Sequence, residues 1–194
     1  MIKGKHLLLA SGSPRRRELL GALDTDMCVV ELHDVDETYP DNMPPEEVPE
    51  YIACKKRDSY DSMALDDNDV LVTADTVVIL DGKVLGKPHD RNEAMAMLKA
   101  MSGKTHTVVT GVALTTRNKS TSFSSKTRVT FDTLTEEQIN YYIDRYKPMD
   151  KAGAYGIQEW IGYTGIQGID GCYYNVMGLP LHDLYKKLLE LSKC

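Results

Sequence analysis

Apolar positions along the chain follow two patterns: short runs of leucine or β-branched residues, and stripes spaced three or four apart. The first predicts buried strands and the second amphipathic helices. Residues 6–10, 70–80, 108–115 and 126–131 read as strands. Residues 84–85 read as a short return strand after the Asp81-Gly82 turn signal. Helices are predicted where a capping residue precedes a stripe. Ser13 caps one, with Pro14 at its first position and Leu19, Leu20 and Leu23 on one face. A second covers 50–62. Asp90 with Glu93 forms a capping box for a third, whose apolar face is Ala94, Met97, Leu98 and Met101 and which stops at Ser102-Gly103. Thr135 to Gln138 is another box, ahead of Ile139, Tyr142, Ile143 and Tyr146. Residues 182–191 form a closing amphipathic helix. Residues 31–49 are acidic and proline-bearing, which predicts a loop. Residues 147–178 are rich in Gly and Tyr and lack periodicity, and so long an irregular stretch in a compact domain is usually functional. The alternation of strands and helices predicts one α/β domain over 1–194 with a mixed sheet.

Composition narrows the picture. The chain has 194 residues, 42% of them apolar and 27% charged, so it can bury a core and is not disordered. No apolar run approaches membrane-helix length, and Leu7-Leu8-Leu9-Ala10 is too short for a secretory signal. The net charge of −6 argues against a nucleic-acid partner. Its distribution is uneven: residues 31–69 hold 13 acidic and 3 basic residues, leaving the remainder net basic and able to hold an anion locally. Four scattered cysteines, with no CxxC pair and no zinc spacing, predict free thiols in a reducing cytoplasm. Asn118-Lys119-Ser120 matches a glycosylation sequon, a chance match without a secretory signal. Ser192-Lys193-Cys194 resembles a peroxisomal address except at its last residue.

Five stretches can carry chemistry. In Ser11-Gly12-Ser13-Pro14-Arg15-Arg16 a strand runs through small residues into a helix N-terminus, an arrangement that binds anions. Arg15 and Arg16 add bidentate phosphate donors but oppose the helix dipole; the competing reading is a capped helix with solvated arginines. Asp75, in the β-branched run Ala74-Asp75-Thr76-Val77-Val78, is a metal ligand, a general base, or a strand-end turn residue. Gly86-Lys87-Pro88 places an ammonium where the backbone can approach a ligand. Asp36-Glu37, with Lys56 beyond, can hold a divalent cation or form a solvated acidic loop. Residues 150–158 end in Gln158, whose amide can read a base edge through paired hydrogen bonds. Gly103-Lys104-Thr105 imitates a phosphate loop, but the spacing requires glycine where Leu98 stands.

Taken together these segments resemble the Maf family of nucleoside triphosphate pyrophosphatases. The likeness rests on Ser11-Gly12-Ser13-Pro14-Arg15-Arg16, Ala74-Asp75-Thr76-Val77-Val78, Leu85-Gly86-Lys87-Pro88, Ser102-Gly103-Lys104-Thr105-His106, Thr110-Gly111-Val112-Ala113-Leu114, the stretch from Asp150 to Gln158, and Val176-Met177-Gly178-Leu179-Pro180-Leu181, in family order. It implies an α/β fold with an elongated mixed sheet and two lobes around a central cleft, similar to inosine triphosphate pyrophosphatase. It implies hydrolysis of a nucleoside triphosphate to the monophosphate and pyrophosphate with a divalent metal cation, Mg or Mn, and a homodimer. By residue, Ser11, Arg16, Lys56 (with Lys55 adjacent) and Lys87 match positions that bind the triphosphate. Glu37 matches an acidic position associated with the metal. Asp75 matches the proton acceptor, beside the cation. Arg15, Thr76 and Gln158 match three positions that separate subgroups, and this set resembles the subgroup acting on dTTP and UTP rather than on 7-methyl-GTP. The other expectations left standing are a nucleotide-binding regulator of cell division and septum formation without significant turnover, and the same enzyme with 7-methyl-GTP-type specificity.

Overall fold

A computed structural model describes residues 2, 4–32 and 35–191, so Ser192-Lys193-Cys194 lies outside the described residues. The elements are β1 (His6–Leu9), α1 (Pro14–Gly21), β2 (Met27–Val29), α2 (Val48–Asp58), β3 (Asp69–Leu80), β4 (Lys83–Leu85), α3 (Arg91–Met101), β5 (Thr105–Thr115), β6 (Ser120–Phe131), α4 (Glu136–Tyr146), α5 (Trp160–Gly165), β7 (Ile166–Asp170), α6 (Tyr173–Met177) and α7 (Leu181–Leu191). Short 3-10 turns lie at Ser62–Ala64, Pro148–Asp150 and Ala152–Ala154. The sheet runs in the order β2-β1-β3-β5-β6-β7, with β4 paired to β3. β1 pairs in parallel with both β2 and β3, whereas β4 and β7 pair antiparallel with β3 and β6. The architecture is a mixed α/β fold.

The chain divides into two compact units. One comprises the residues up to Asp75, Thr110–Ser125 and those from Gly178; the other comprises Thr76–Val109 and Lys126–Met177.

In the first unit, Leu7, Leu8 and Leu9 are buried, as strands flanked on both sides by parallel neighbours require. Ser13 caps α1 by accepting from the Arg16 backbone N–H, with Pro14 in the first turn. α2 begins two residues before its expected start, because Pro49 is tolerated in the first turn, and it ends at the Ser59 cap. It lies against β5 where Gly111 has no side chain: a Cβ there would meet the Glu50 backbone. The Glu50 carboxylate accepts hydrogen bonds from Ser122 and Ser124, each 2.7 Å. Buried Thr73 donates to the Ala53 carbonyl at 2.7 Å.

In the second unit, Asp81 and Gly82 both have positive φ, the geometry of the tight hairpin their sequence predicts. The core is Val78, Leu98, Met101, Phe131, Ile139, Tyr142, Ile143, Tyr155 and their neighbours. The capping box at Thr135 and Gln138 closes in full. The one at Asp90 closes differently: Asp90 accepts from Glu93 N, but Glu93 Oε2 accepts from His89 N. The 147–178 stretch is more ordered than its composition predicts. It holds α5, α6 and the edge strand β7, whose Gly and Gln content hides the β pattern.

Candidate active site

In the first unit, β1 ends at a small-residue loop leading into α1. Ser11 Oγ accepts from Ser13 N at 3.3 Å and from Arg16 Nη1 at 3.3 Å. Arg16 is tied further: Nη1 donates to the Ala74 carbonyl at 2.8 Å and Nε to the Gly178 carbonyl at 2.8 Å. Two backbone acceptors from distant segments therefore fix the guanidinium plane. Burial pulls its pKa below the ordinary arginine value, Asp75 opposes that shift, and neighbouring Arg15 adds to it. A half-buried guanidinium beside another cation is suited to receive an anion.

Next to Ala74 in β3 stands Asp75, whose side chain is 14% exposed. Lys56, from α2, donates to Asp75 Oδ1 at 2.8 Å and pairs with Glu37 Oε1 at 3.0 Å. One ammonium thus bridges two carboxylates. Lys55 points elsewhere, to Asp36 at 3.1 Å and to the Thr38 carbonyl at 2.9 Å. Asp36 is held down to about 2, first by the Thr38 hydroxyl, then by the Thr38 N–H and Lys55.

The structure therefore brings together Ser11, Arg16, Glu37, Lys56 and Asp75. Arg15 lies in the first turn of α1. Thr76, Lys87 and Gln158 belong to the second unit. Thr76 follows Asp75 along β3, and Lys87 is exposed after β4. Gln158 lies in the loop before α5. Its Oε1 is buried without a hydrogen-bond partner among the described residues, while its backbone carbonyl accepts from Tyr163 Oη at 2.7 Å. A buried carbonyl without a donor is costly, and a ligand N–H would relieve it.

A divalent cation fits the first-unit cluster. Two carboxylates already converge on one positive charge, that of Lys56. Among the described residues no three His, Cys, Asp or Glu side chains form a metal-holding group. Two carboxylates plus phosphate oxygens is how Mg is commonly held, with no complete protein cage.

Sequence reasoning missed the backbone acceptors at Ala74 and Gly178, because a carbonyl leaves no trace in residue type.

Residues 6–191 match the family described as Maf-like protein. The chain belongs to the Maf-like family. Its relatives in this family include proteins named dTTP/UTP pyrophosphatase. One from Bacteroides thetaiotaomicron is 54% identical over 95% of both chains. One from Porphyromonas gingivalis is 50% identical over 99% of this chain and 97% of its own. One from Christiangramia forsetii is 41% identical over 98% and 96%. Among solved structures, a HAM1 protein from Coxiella burnetii matches this Maf-like chain with a TM-score of 0.53. That match is 12% identical and covers 98% of this chain and 100% of that one, so it shows the fold alone.

Proposed function

We propose that this chain hydrolyses dTTP and UTP to the nucleoside monophosphate and pyrophosphate. The observation that carries the reading is the Lys56 ammonium shared between Asp75 and Glu37, with Arg16 held on the Ala74 carbonyl. Cations, carboxylates and a helix N-terminus in one cluster suit a polyphosphate and the water that attacks it. The names of relatives 41–54% identical to this chain supply the substrate. The unpartnered Gln158 Oε1 supports a base bearing an N–H donor, as the imide of uracil and thymine does.

The substrate carries about four negative charges, which positive side chains must offset. Ser11, Arg16, Lys56 and Lys87 bind the triphosphate, and Arg15, Thr76 and Gln158 set substrate choice. Asp75 orients a water and accepts its proton as the water oxygen bonds to the α-phosphorus. The bond from that phosphorus to the bridging oxygen breaks, and pyrophosphate leaves with the oxygen. Positioning and charge stabilisation provide most of the acceleration. Glu37 and Asp75, with the substrate's phosphate oxygens, are the groups that would hold Mg or Mn. Such an ion supplies Lewis acidity and further charge neutralisation when bound.

Asp75→Asn keeps the shape but removes the proton acceptor. Its kcat on dTTP should fall about 1000-fold, with nucleotide binding by calorimetry within a few-fold of wild type. Unchanged turnover would sink the assignment. Pyrophosphate release from dTTP, UTP, CTP, 7-methyl-GTP and ITP, with and without Mg or Mn, tests substrate and metal together. No turnover with binding intact would favour the regulatory binder. The proposal includes a homodimer, which sedimentation tests, and a cytoplasmic location, which the free thiols Cys28, Cys54 and Cys172 support. Among the described residues no helix is long and apolar enough to cross a membrane.

A further inference from the structure

The loop carrying Gln158 is held on both sides by groups outside the assigned site. On one side, Tyr163 Oη donates to the Gln158 carbonyl at 2.7 Å; its ring is 77% exposed. On the other, the adjacent Glu159 carboxylate accepts from Tyr142 Oη and pairs with Lys151 Nζ at 3.1 Å. The same Tyr142 hydroxyl accepts from Gly156 N at 2.9 Å, so one buried oxygen ties residues 156 and 159 across Gln158. Gly156 leaves no slack, since a Cβ there would stand 2.9 Å from Glu159 Cδ. Burial and the neighbouring Glu159 carboxylate raise the Tyr142 pKa, so the hydroxyl keeps its proton and donates.

From this geometry we propose that Tyr142, Glu159 and Tyr163 are positioning residues that set base selectivity by holding Gln158. The proposal rests on the reading that Gln158 faces the base. A glutamine side chain has three rotatable bonds, and it discriminates only if its backbone is fixed and its rotamer limited. Here the backbone is clamped and Oε1 is left as an unmet acceptor. Uracil and thymine present an N3–H to such an acceptor. Cytosine presents an N3 lone pair, which opposes it. A site built to accept a hydrogen bond rejects the analogue lacking the donor, provided the acceptor cannot swing away.

The experiment measures kcat and KM on dTTP and CTP for wild type, Tyr163→Phe, Glu159→Gln, Gln158→Ala and the Tyr163→Phe/Gln158→Ala double variant. Tyr163→Phe removes one hydroxyl from an exposed ring and should leave the melting temperature unchanged. Its dTTP-to-CTP ratio of kcat/KM should fall about 5- to 10-fold, mainly through a higher KM for dTTP. Glu159→Gln keeps a partner for Tyr142 but loses the charge facing Lys151, and should shift the ratio in the same direction. The Tyr163 change should add nothing once Gln158 is alanine, a coupling that a merely structural role would not produce. If Gln158→Ala collapses the ratio while Tyr163→Phe and Glu159→Gln hold it within twofold, the positioning role is overturned and the reading of Gln158 stands. If Gln158→Ala itself leaves the ratio unchanged, both fall. Should Glu159→Gln not fold, Tyr163→Phe decides.

Discussion

His106 is buried on β5 in the second unit, edge-on to Phe131 and Tyr155, with Nε2 2.8 Å from Tyr155 Oη and Nδ1 buried without a partner. Burial pushes its pKa from 6.5 down to about 4. Above pH 6.5 the ring is neutral in both folded and unfolded chains, and its contribution is constant. Between 6.5 and 4 the unfolded chain takes up a proton that the folded one refuses. Stability therefore falls with pH across that window, by on the order of 3 kcal/mol. Urea midpoints at pH 7 and 4.5 should show this loss, and His106→Asn should remove part of it. Equal pH dependence in both proteins would refute the assignment. At the site, the mostly buried Asp75 side chain is paired with the Lys56 ammonium at 2.8 Å. That a charged residue in a β-branched run needs a partner is legible from residue types. Which lysine pairs with it is not, because Lys55 and Lys56 are adjacent and only the turn of α2 separates their directions.

Among the elements, α1, α3, α4 and α7 begin and end close to where their caps and stripes predict, because both signals are local. β5 and β6 extend beyond their predicted ends into polar residues. Ladder hydrogen bonds come from the backbone, so polar Ser and Thr can continue a strand that periodicity loses. β7 and the short helices α5 and α6 escaped for a related reason: elements this short have too few residues to show a period. The contact of α2 with β5 is the sharpest demand at this scale. Gly111→Ala would push a Cβ into the Glu50 backbone, which cannot rotate away as a side chain can. It should destabilise the protein by about 3 kcal/mol, read as a lower urea midpoint with an unchanged slope. A shift below about 0.5 kcal/mol, the range of ordinary surface changes, would mean that the helix moves freely.

For the whole molecule, a ligand that binds only the folded chain stabilises it by mass action. A non-hydrolysable dTTP analogue with Mg at about 100 times its dissociation constant adds about 2.7 kcal/mol. That corresponds to roughly 5–10 °C in melting temperature for a chain of this size. EDTA should reverse most of the shift if Glu37 and Asp75 hold the ion. A full shift in EDTA would remove the metal from the proposal, and no shift under either condition would remove the nucleotide. The chain's own residues determined its α/β class, most helix limits, the capped strand-to-helix turn with its two arginines at residues 11–16 and the likeness to the Maf family, because each of these is written in composition, spacing or short motif. Tertiary structure alone decided that Lys56 meets Asp75, 19 residues away, and that Arg16 meets the Gly178 carbonyl, 162 residues away. It alone decided that Gln158 is clamped through a tyrosine on α4 and another on α5. Such meetings depend on how strands pair and helices pack, and on backbone groups every residue shares, so no local pattern can encode them.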